Sequence, residues 1–241
     1  MPFTVYACVS YSPAFGGFRT QDDWTALHFV HAIKNTPLAH FAVLRLRDGE
    51  NVRIDEESAH AAPIWFAKLA VSGFPSRGAS ARDVFPFGLV PIPDAACSLS
   101  ADRPPRTIRL ADALASELGP DAFVDDLLRW VRPMLPTHFG EDSRDPQVLY
   151  GRLRLRDPLR PVRHQRFVLV DDVIASGAHL RAAAAFLRDC GATVVCAVCA
   201  ARARRTRLLS GSFLSPSTEV LPDFHSDPAW RLPEIYDGVE L

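Results

Sequence analysis

The chain has 241 residues, of which 48% are hydrophobic and 23% are charged, and its formal net charge is −1. This length suits one domain, or one domain with an added segment. A net charge near zero provides no global argument for a nucleic-acid or acidic-membrane partner. No stretch approaches the ~20 continuous apolar residues of a membrane helix. The start, MPFTVYACVSYSP, lacks the charged region and apolar core of a signal peptide, so we expect a cytoplasmic protein.

Residues 1–85 predict an N-terminal α+β appendage or hood. The stretch QDDWTALHFVHAIKN has acids at its start and Asn35-Thr36-Pro37 at its end, which predicts a helix. Two apolar runs, 41–46 and 51–54, flank an Asp-Gly turn and predict a hairpin. Residues 58–71 are apolar enough for a second helix, and the Ser-, Gly- and Arg-rich stretch SGFPSRGASARD is interpreted as a loop.

A core domain is predicted over residues 86–210. It begins with a short apolar strand, Phe87–Pro93, and a helix over residues 107–118 whose apolar residues recur at helical spacing. Residues 121–133 fit either a short strand or a short helix. Arg152, Arg154 and Arg156 alternate with other residues, so a strand there would project all three from one face. Such a stripe would either contact phosphates or protect a solvated edge strand.

The most informative stretch is RFVLVDDVIASGAHLRAAAAFLRDCGA. Its apolar run, Phe167–Val170, predicts a strand buried on both faces, and a helical pattern that Gly191 can end begins at Ala178. The intervening turn therefore lies at the carboxyl edge of a sheet, where its N–H groups and the helix amino end form an anion site. Two acids, Asp171 and Asp172, directly precede this turn.

Acids beside an anion site require an explanation, because phosphate would repel them. A ligand that carries both a phosphate and a hydroxyl-rich sugar provides one. The turn binds the phosphate, and the carboxylates accept hydrogen bonds from sugar hydroxyls or hold a hydrated Mg²⁺. The simpler alternative is a strand end with two solvated acids.

Residues after the motif are less specific. A further parallel strand is predicted over residues 192–200, followed by four arginines between Arg202 and Arg207 that allow either a phosphate contact or a basic surface loop. The five cysteines are odd in number, and the CxxC of Cys196 and Cys199 lies in an apolar strand, so we expect buried free thiols. The tail, residues 211–241, contains aromatic residues that would either cover a planar ligand ring or dock the tail on the body.

The sequence VLVDDVIASGAHL resembles the phosphoribosyl pyrophosphate (PRPP) motif of type I phosphoribosyltransferases. The resemblance implies an α/β fold, a Rossmann-like parallel sheet with flanking helices. It also implies that Asp171 and Asp172 are catalytic residues that face the ribose hydroxyls and contact Mg²⁺ indirectly. Hydroxyl side chains are usual in the family's turn, whereas here only one position keeps a hydroxyl. The residues that would bind the 5-phosphate are Ile174, Ala175, Ser176, Gly177, Ala178 and His179.

The upstream unit, VPIP followed by a loop and RTIRLADALA, is similar to the ComF-type branch of this superfamily, in which the loop approaches pyrophosphate. The resemblance makes Arg103 and Arg106 candidate pyrophosphate contacts, offset by Asp94 and Asp102. ComF-type proteins also carry a cysteine-rich zinc-binding segment, whereas residues 1–85 contain only Cys8. Type I members close a mobile loop over the site, and residues 136–147 hold its candidates, His138 and Arg144.

Two functions follow from the resemblance. The first is a Mg²⁺-dependent transfer of ribose 5-phosphate from PRPP to a nitrogen nucleophile. The second is a non-catalytic PRPP- or nucleotide-sensing protein, or an accessory factor in nucleic-acid metabolism. In both, the ligand is a small phosphorylated ribose compound, and we expect self-association or a protein partner. Nucleic-acid binding remains open but is not indicated by the net charge.

Overall fold

The computed structural model describes residues 2–13, 19–73, 86–101, 103–134, 145–157, 159, 161–204 and 214–222. The strands and helices of these residues are, in chain order, β1 (Phe3–Tyr11), α1 (Gln21–Lys34), β2 (Ala42–Arg45), β3 (Asn51–Ile54), α2 (Ala62–Gly73), β4 (Phe87–Pro91), α3 (Ile108–Leu118), β5 (Ala122–Val124), β6 (Leu128–Trp130), α4 (Pro146–Arg152), β7 (Leu153–Leu155), β8 (Arg166–Ile174), α5 (Ala178–Asp189), β9 (Thr193–Ala203) and β10 (Ser217–Leu221).

A six-stranded sheet with the order β10-β1-β9-β8-β4-β5 forms the centre of the fold. Every neighbouring pair is parallel except β10 with β1. Along β8, Val168 and Val170 face the core formed with α1, α2 and α3, whereas Phe167 and Leu169 face the core formed with α4 and α5. Both faces of the central strand are therefore buried, which explains its continuous apolar run. The predicted fold class is confirmed.

The N-terminal segment contributes directly to this sheet, because β1 lies between β9 and β10. The sheet thus contains strands from all three segments into which the sequence was divided. The predicted hairpin is confirmed as β2 and β3, which pair antiparallel with each other, and Gly49 in its turn has a φ of 92°. The domain boundaries themselves stay a prediction.

Local capping signals explain the predicted helices. Thr20 accepts a hydrogen bond from the Asp23 N–H at the start of α1, and Asn35 ends this helix with a left-handed φ of 54°. Gly191, with a φ of 85°, follows the end of α5 as expected. A 3-10 turn, Ala59–Ala61, precedes α2. The described residues contain no helix that is both long and apolar enough to cross a membrane, and the five cysteines are buried and free as predicted.

The region around the arginine stripe differs from the prediction. Residues 121–133 form the two short strands β5 and β6. Asp145 accepts a hydrogen bond from the Gln147 N–H and starts a helix with Pro146 in its first turn, so Arg152 is helical and only Leu153–Leu155 is a strand. The interpretation of three arginines on one strand face is therefore wrong. The sequence predicts a loop over residues 136–147, whereas Asp145 and Pro146 start this helix.

Candidate functional site

The acid pair lies near the carboxyl end of β8, inside the strand rather than after it. Asp171 is opposite Cys199 of β9, and the ladder continues to Ile174, which is opposite Arg202. The sequence predicted a strand that ends at Val170, because a polar pair after an apolar run resembles a strand end. The strand continues because β9 also runs past this point and supplies backbone partners beside the carboxylates.

Each carboxylate of the pair accepts a hydrogen bond from the next backbone N–H. Asp171 Oδ1 lies 2.8 Å from the Asp172 nitrogen, and Asp172 Oδ1 lies 2.6 Å from the Val173 nitrogen. The other oxygen of Asp172 accepts from the Arg106 guanidinium at 2.6 Å. These contacts fix the direction of both side chains before any ligand is bound.

The two acids differ in their surroundings. Burial and the neighbouring Asp172 carboxylate raise the pKa of Asp171 to about 8, although the Asp172 N–H, Lys34 and Arg106 favour its charged form. Asp172, in contrast, has the Arg106 guanidinium as a direct partner. Near neutral pH Asp171 therefore retains its proton much of the time, beside the contact between Asp172 and Arg106.

The predicted phosphate turn joins β8 to α5. Gly177 has a φ of 76°, and a Cβ at this position would lie 2.8 Å from a methyl carbon of Leu221. Both the backbone conformation and the lack of space require glycine here. Ile174 is only 2% exposed and remains in the strand, so its side chain belongs to the core. Ala178 is equally buried as the first residue of α5.

The turn presents several unused N–H groups. In the described part of the chain, the N–H groups of Ser176, Gly177 and His179 donate to no protein acceptor, and that of Ala178 reaches only the Ser176 hydroxyl at 3.3 Å. They lie at the amino end of α5, which has 12 residues. Free N–H groups and the positive end of a helix macrodipole together favour an anion.

His179 connects this turn to the neighbouring loop. Burial lowers the pKa of His179, while the charge of Asp172 acts in the opposite direction, so the ring is neutral near pH 7. Its ring makes an edge contact with Trp130, at 5.8 Å between centroids. The indole N–H of Trp130 donates to the carbonyls of Pro93 and Asp94 at 3.3 and 3.1 Å. Trp130 was not singled out from the sequence, since its role depends on contacts between distant segments.

The candidate pyrophosphate loop is organised by Asp94. Its carboxylate accepts from the N–H groups of Ala96 and Arg106, each at 3.0 Å, and from the Arg103 guanidinium at 3.3 Å. Burial alone would raise the pKa of Asp94, but these hydrogen bonds and the charge of Arg103 hold it below its ordinary value. The sequence suggested that Asp94 weakens this loop as an anion site. The structure instead shows its charge satisfied by hydrogen bonds within the loop.

The predicted cations occupy different positions. Arg106 reaches the acid pair, whereas Arg103, whose side chain is 54% exposed, pairs with Asp94 at the loop surface. His138 and Arg144 lie outside the described residues, as does Asp102.

Two residues of the N-terminal segment also lie near the acids and were not predicted. Tyr11 is buried at the end of β1, and its burial, together with the charge of Asp172, raises its pKa to about 12. Lys34, the last residue of α1, acts electrostatically on Asp171. The apolar run FTVYACVSY predicts a strand, and Tyr11 is the last residue of that run. The placement of Lys34 depends on how α1 packs on the sheet.

Mg²⁺ prefers oxygen ligands, and the acid pair supplies carboxylate oxygens of this type. The described residues contain no group of three or more His, Cys, Asp or Glu side chains arranged to hold a metal ion. An ion at the acid pair would therefore draw further ligands from water or from a bound phosphate compound. The raised pKa of Asp171 fits this arrangement, because a cation would relieve the repulsion between the two carboxylates.

Comparison with protein families agrees with this geometry. A family model described as phosphoribosyl transferase domain matches residues 106–227, about half of the chain. The chain belongs to the phosphoribosyltransferase family. The matched region begins at Arg106 and includes the acid pair, the turn before α5 and β10, whereas Tyr11 and Lys34 precede it. A search of curated proteins found no match. The finer resemblance to the ComF-type branch stays a prediction.

Proposed function

We propose that the chain binds PRPP at the carboxyl edge of the sheet and transfers ribose 5-phosphate to a nitrogen nucleophile, with release of pyrophosphate. The observation that best supports this proposal is the ion pair between Arg106 and Asp172. It brings the loop assigned to pyrophosphate into contact with the acid pair assigned to ribose. In PRPP the pyrophosphate is attached to C1 of the ribose, next to the carbon that bears the 2-hydroxyl. A PRPP site therefore needs its pyrophosphate contacts beside its ribose contacts.

The 5-phosphate is assigned to the turn before α5. The N–H groups of Ser176, Gly177 and His179 are available to it, and Ser176 adds the one hydroxyl side chain of the turn. Backbone donors provide the contacts that hydroxyl side chains supply elsewhere in the family. The neutral ring of His179 offers a further N–H donor without requiring a charge.

The acid pair is assigned to the ribose. In the transfer, the bond between ribose C1 and the pyrophosphate oxygen breaks, a bond between C1 and the acceptor nitrogen forms, and the nitrogen loses its proton to solvent. Positive charge develops on the sugar during this step, and nearby carboxylates lower its energy. Asp172 is positioned by the Val173 N–H to serve in this way, and Asp171, positioned by the Asp172 N–H, is assigned a hydrogen bond with a ribose hydroxyl.

Arg106 is assigned to the leaving pyrophosphate. Its side chain is 44% exposed in the ion pair and is accessible to an anion that enters the site. Its backbone N–H donates to Asp94, which fixes the backbone of Arg106. The side chain can then move from Asp172 to the pyrophosphate without a shift of the backbone. Asp171 and Asp172 would hold Mg²⁺ through water, and the bound ion would neutralise charge on pyrophosphate.

The small number of hydroxyl side chains in the turn favours a second function. Arg106 and Asp172 neutralise each other at 2.6 Å, and this contact must open before either group serves a substrate. To bind PRPP or a nucleotide without transferring ribose, the protein needs only to open the Arg106–Asp172 contact. The turn here also has fewer hydroxyls than is usual in the family. The alternative is therefore a sensing or accessory protein.

Calorimetric titration of the full chain with PRPP, with and without Mg²⁺, tests both functions. We expect binding by the wild type, and a weaker response from Asp171→Asn and Asp172→Asn. Failure of the wild type to bind at millimolar PRPP would exclude both functions. If PRPP binds, release of pyrophosphate with a panel of nitrogenous bases distinguishes them. Release with any base supports transfer, and no release with all bases supports sensing.

A further inference from the structure

The carbonyl of Ala175, in the turn assigned to the 5-phosphate, accepts a hydrogen bond from the guanidinium of Arg202. A trans peptide directs its carbonyl and the following N–H to opposite sides. The contact with Arg202 therefore directs the N–H of Ser176 away from the guanidinium. This N–H donates to no acceptor among the residues that the structure describes, so the contact sets the direction of a free donor.

Arg202 is itself held in place from the C-terminal segment. Its Nε lies 3.1 Å from Glu219 Oε2, and its Nη2 lies 3.2 Å from Glu219 Oε1. A pair joined at two points fixes the plane of the guanidinium as well as its position. The two side chains are only 22% and 36% exposed, which limits their freedom to adopt other arrangements.

The same strand supports the turn at a second point. Leu221 of β10 is 3% exposed and packs against Gly177, where a Cβ would approach its methyl carbons to 2.8 and 2.9 Å. β10 therefore contacts the turn through Leu221 directly and through Glu219 by way of Arg202. The sequence leaves two roles open for the tail, covering a planar ligand ring or docking on the body. Its aromatic residues after residue 222 lie outside the described residues, and its described part packs against the turn.

We propose that Arg202 is a positioning residue for the 5-phosphate turn and that Glu219 holds it in that role. The inference rests on the proposed function, since it concerns the same phosphate site. Arg202 acts through the peptide between Ala175 and Ser176, and its charge is matched by that of Glu219. Because the pair has no net charge, its effect on a phosphate comes from geometry rather than from long-range attraction.

The direction in which one substitution changes phosphate affinity distinguishes positioning of the turn from attraction by charge. If Arg202 served as a positive charge, Glu219→Gln would remove an opposing charge and strengthen phosphate binding. If Arg202 positions the turn, Glu219→Gln frees its guanidinium and weakens binding. Arg204 provides the matched control, because it lies two residues further along, where its guanidinium donates to the Ser10 hydroxyl at 3.1 Å and not to the turn.

The experiment is calorimetric titration of the full chain with ribose 5-phosphate, with the unfolding temperature of each variant measured in parallel. We expect Arg202→Gln to weaken binding about tenfold, as for the loss of one hydrogen bond to a charged group. Glu219→Gln should weaken binding about threefold, and the affinity of Arg202→Lys should lie between those of Arg202→Gln and the wild type. Arg204→Gln should change it less than about twofold. If Arg202→Gln does not fold, Arg202→Lys and Glu219→Gln decide the outcome.

Three results would overturn the inference. Stronger binding by Glu219→Gln, or an equal loss in Arg202→Gln and Arg204→Gln, would show that charge alone acts. Unchanged affinity in both Arg202 variants would show that the turn needs no such support. A wild type that binds PRPP but no ribose 5-phosphate at millimolar concentration would reject the assignment of the 5-phosphate to this turn, and with it this role for Arg202. A wild type that binds neither compound would instead reject the proposed function.

Discussion

Arg106 and Asp172 are 66 positions apart in the sequence and form an ion pair with 2.6 Å between Nη2 and Oδ2. The arginine follows the loop after β4, and the acid lies near the end of β8, the strand beside β4 in the sheet. The contact joins the two segments to which the proposed function assigns pyrophosphate and ribose. It also means that each group already has a partner when a ligand arrives.

Replacement of Arg106 tests which ligand group it serves. We expect Arg106→Gln to weaken binding of PRPP by about tenfold or more, because charge-assisted hydrogen bonds to pyrophosphate are lost. Binding of ribose 5-phosphate, which lacks pyrophosphate, should change by less than about threefold. Calorimetric titration of both ligands measures the difference. Arg109→Gln is the matched control, since Arg109 lies on α3 and donates to the His60 carbonyl instead. Equal losses for both ligands would contradict the assignment.

Much of the fold could be predicted because its signals are local. The apolar run before Asp171, the helical spacing after Gly177 and the glycine after α5 each depend on neighbouring residues. These patterns also placed the phosphate turn at the carboxyl edge of a sheet, since strand, turn and helix follow one another directly.

The rest of the site depends on contacts between segments that are distant in the sequence. Trp130 meets His179, and Arg202 meets Ala175, only because β6, β8 and β9 are brought together by the fold. No spacing rule in the sequence relates such residues. The role of Asp94 was also not predictable from the sequence. Its negative charge suggests repulsion of an anion, whereas its hydrogen bonds show that it organises the loop.

The raised pKa of Asp171 predicts a specific dependence of stability on pH. Burial and Asp172 raise this pKa from 3.8 to about 8, so the folded state holds a proton that the unfolded state loses. The stabilising contribution is complete below the unfolded pKa and is lost as pH rises through the folded pKa. The free energy of unfolding should therefore fall between about pH 4 and pH 8 because of this group.

Asp171→Asn should remove that part of the pH dependence. The amide oxygen can still accept from the Asp172 N–H, and no carboxyl group remains to titrate. At pH 8 we expect the variant to be more stable than the wild type by at least about 1.4 kcal/mol, the equivalent of one pKa unit. Urea unfolding at intervals from pH 5 to pH 8 measures this. Asp121→Asn, at an exposed position, serves as the control, and an unchanged slope in Asp171→Asn would disprove the prediction.

Gly177 should tolerate no side chain. Gly177→Ala places a Cβ in a left-handed backbone conformation and within 2.8 Å of Leu221. We expect the free energy of unfolding to fall by about 2 kcal/mol or more, from backbone strain and overpacking combined. Affinity for ribose 5-phosphate should fall as well, because the turn must shift. Urea unfolding and calorimetry measure the two effects.

Gly151→Ala is a suitable control for the glycine substitution. Gly151 lies in α4, and a Cβ there would have no neighbour within 4 Å. Alanine in a helix is favoured over glycine by roughly 0.5–1 kcal/mol, so this variant should be slightly more stable than the wild type. If Gly177→Ala behaved like Gly151→Ala, neither the positive φ nor the packing of Leu221 would be restricting the turn.

We expect Asp94 to support PRPP binding, although its negative charge does not suit direct contact with a phosphate. Asp94→Asn replaces one acceptor oxygen with an NH₂ group, so the N–H of either Ala96 or Arg106 loses its partner. We expect a loss of stability of about 1–3 kcal/mol and a several-fold weaker affinity for PRPP, with ribose 5-phosphate binding retained. Asp112→Asn, at an exposed position on α3, controls for the removal of a charge. Stronger PRPP binding by Asp94→Asn would mean that its charge repels the ligand, as the sequence suggested, and that its hydrogen bonds do not organise the loop.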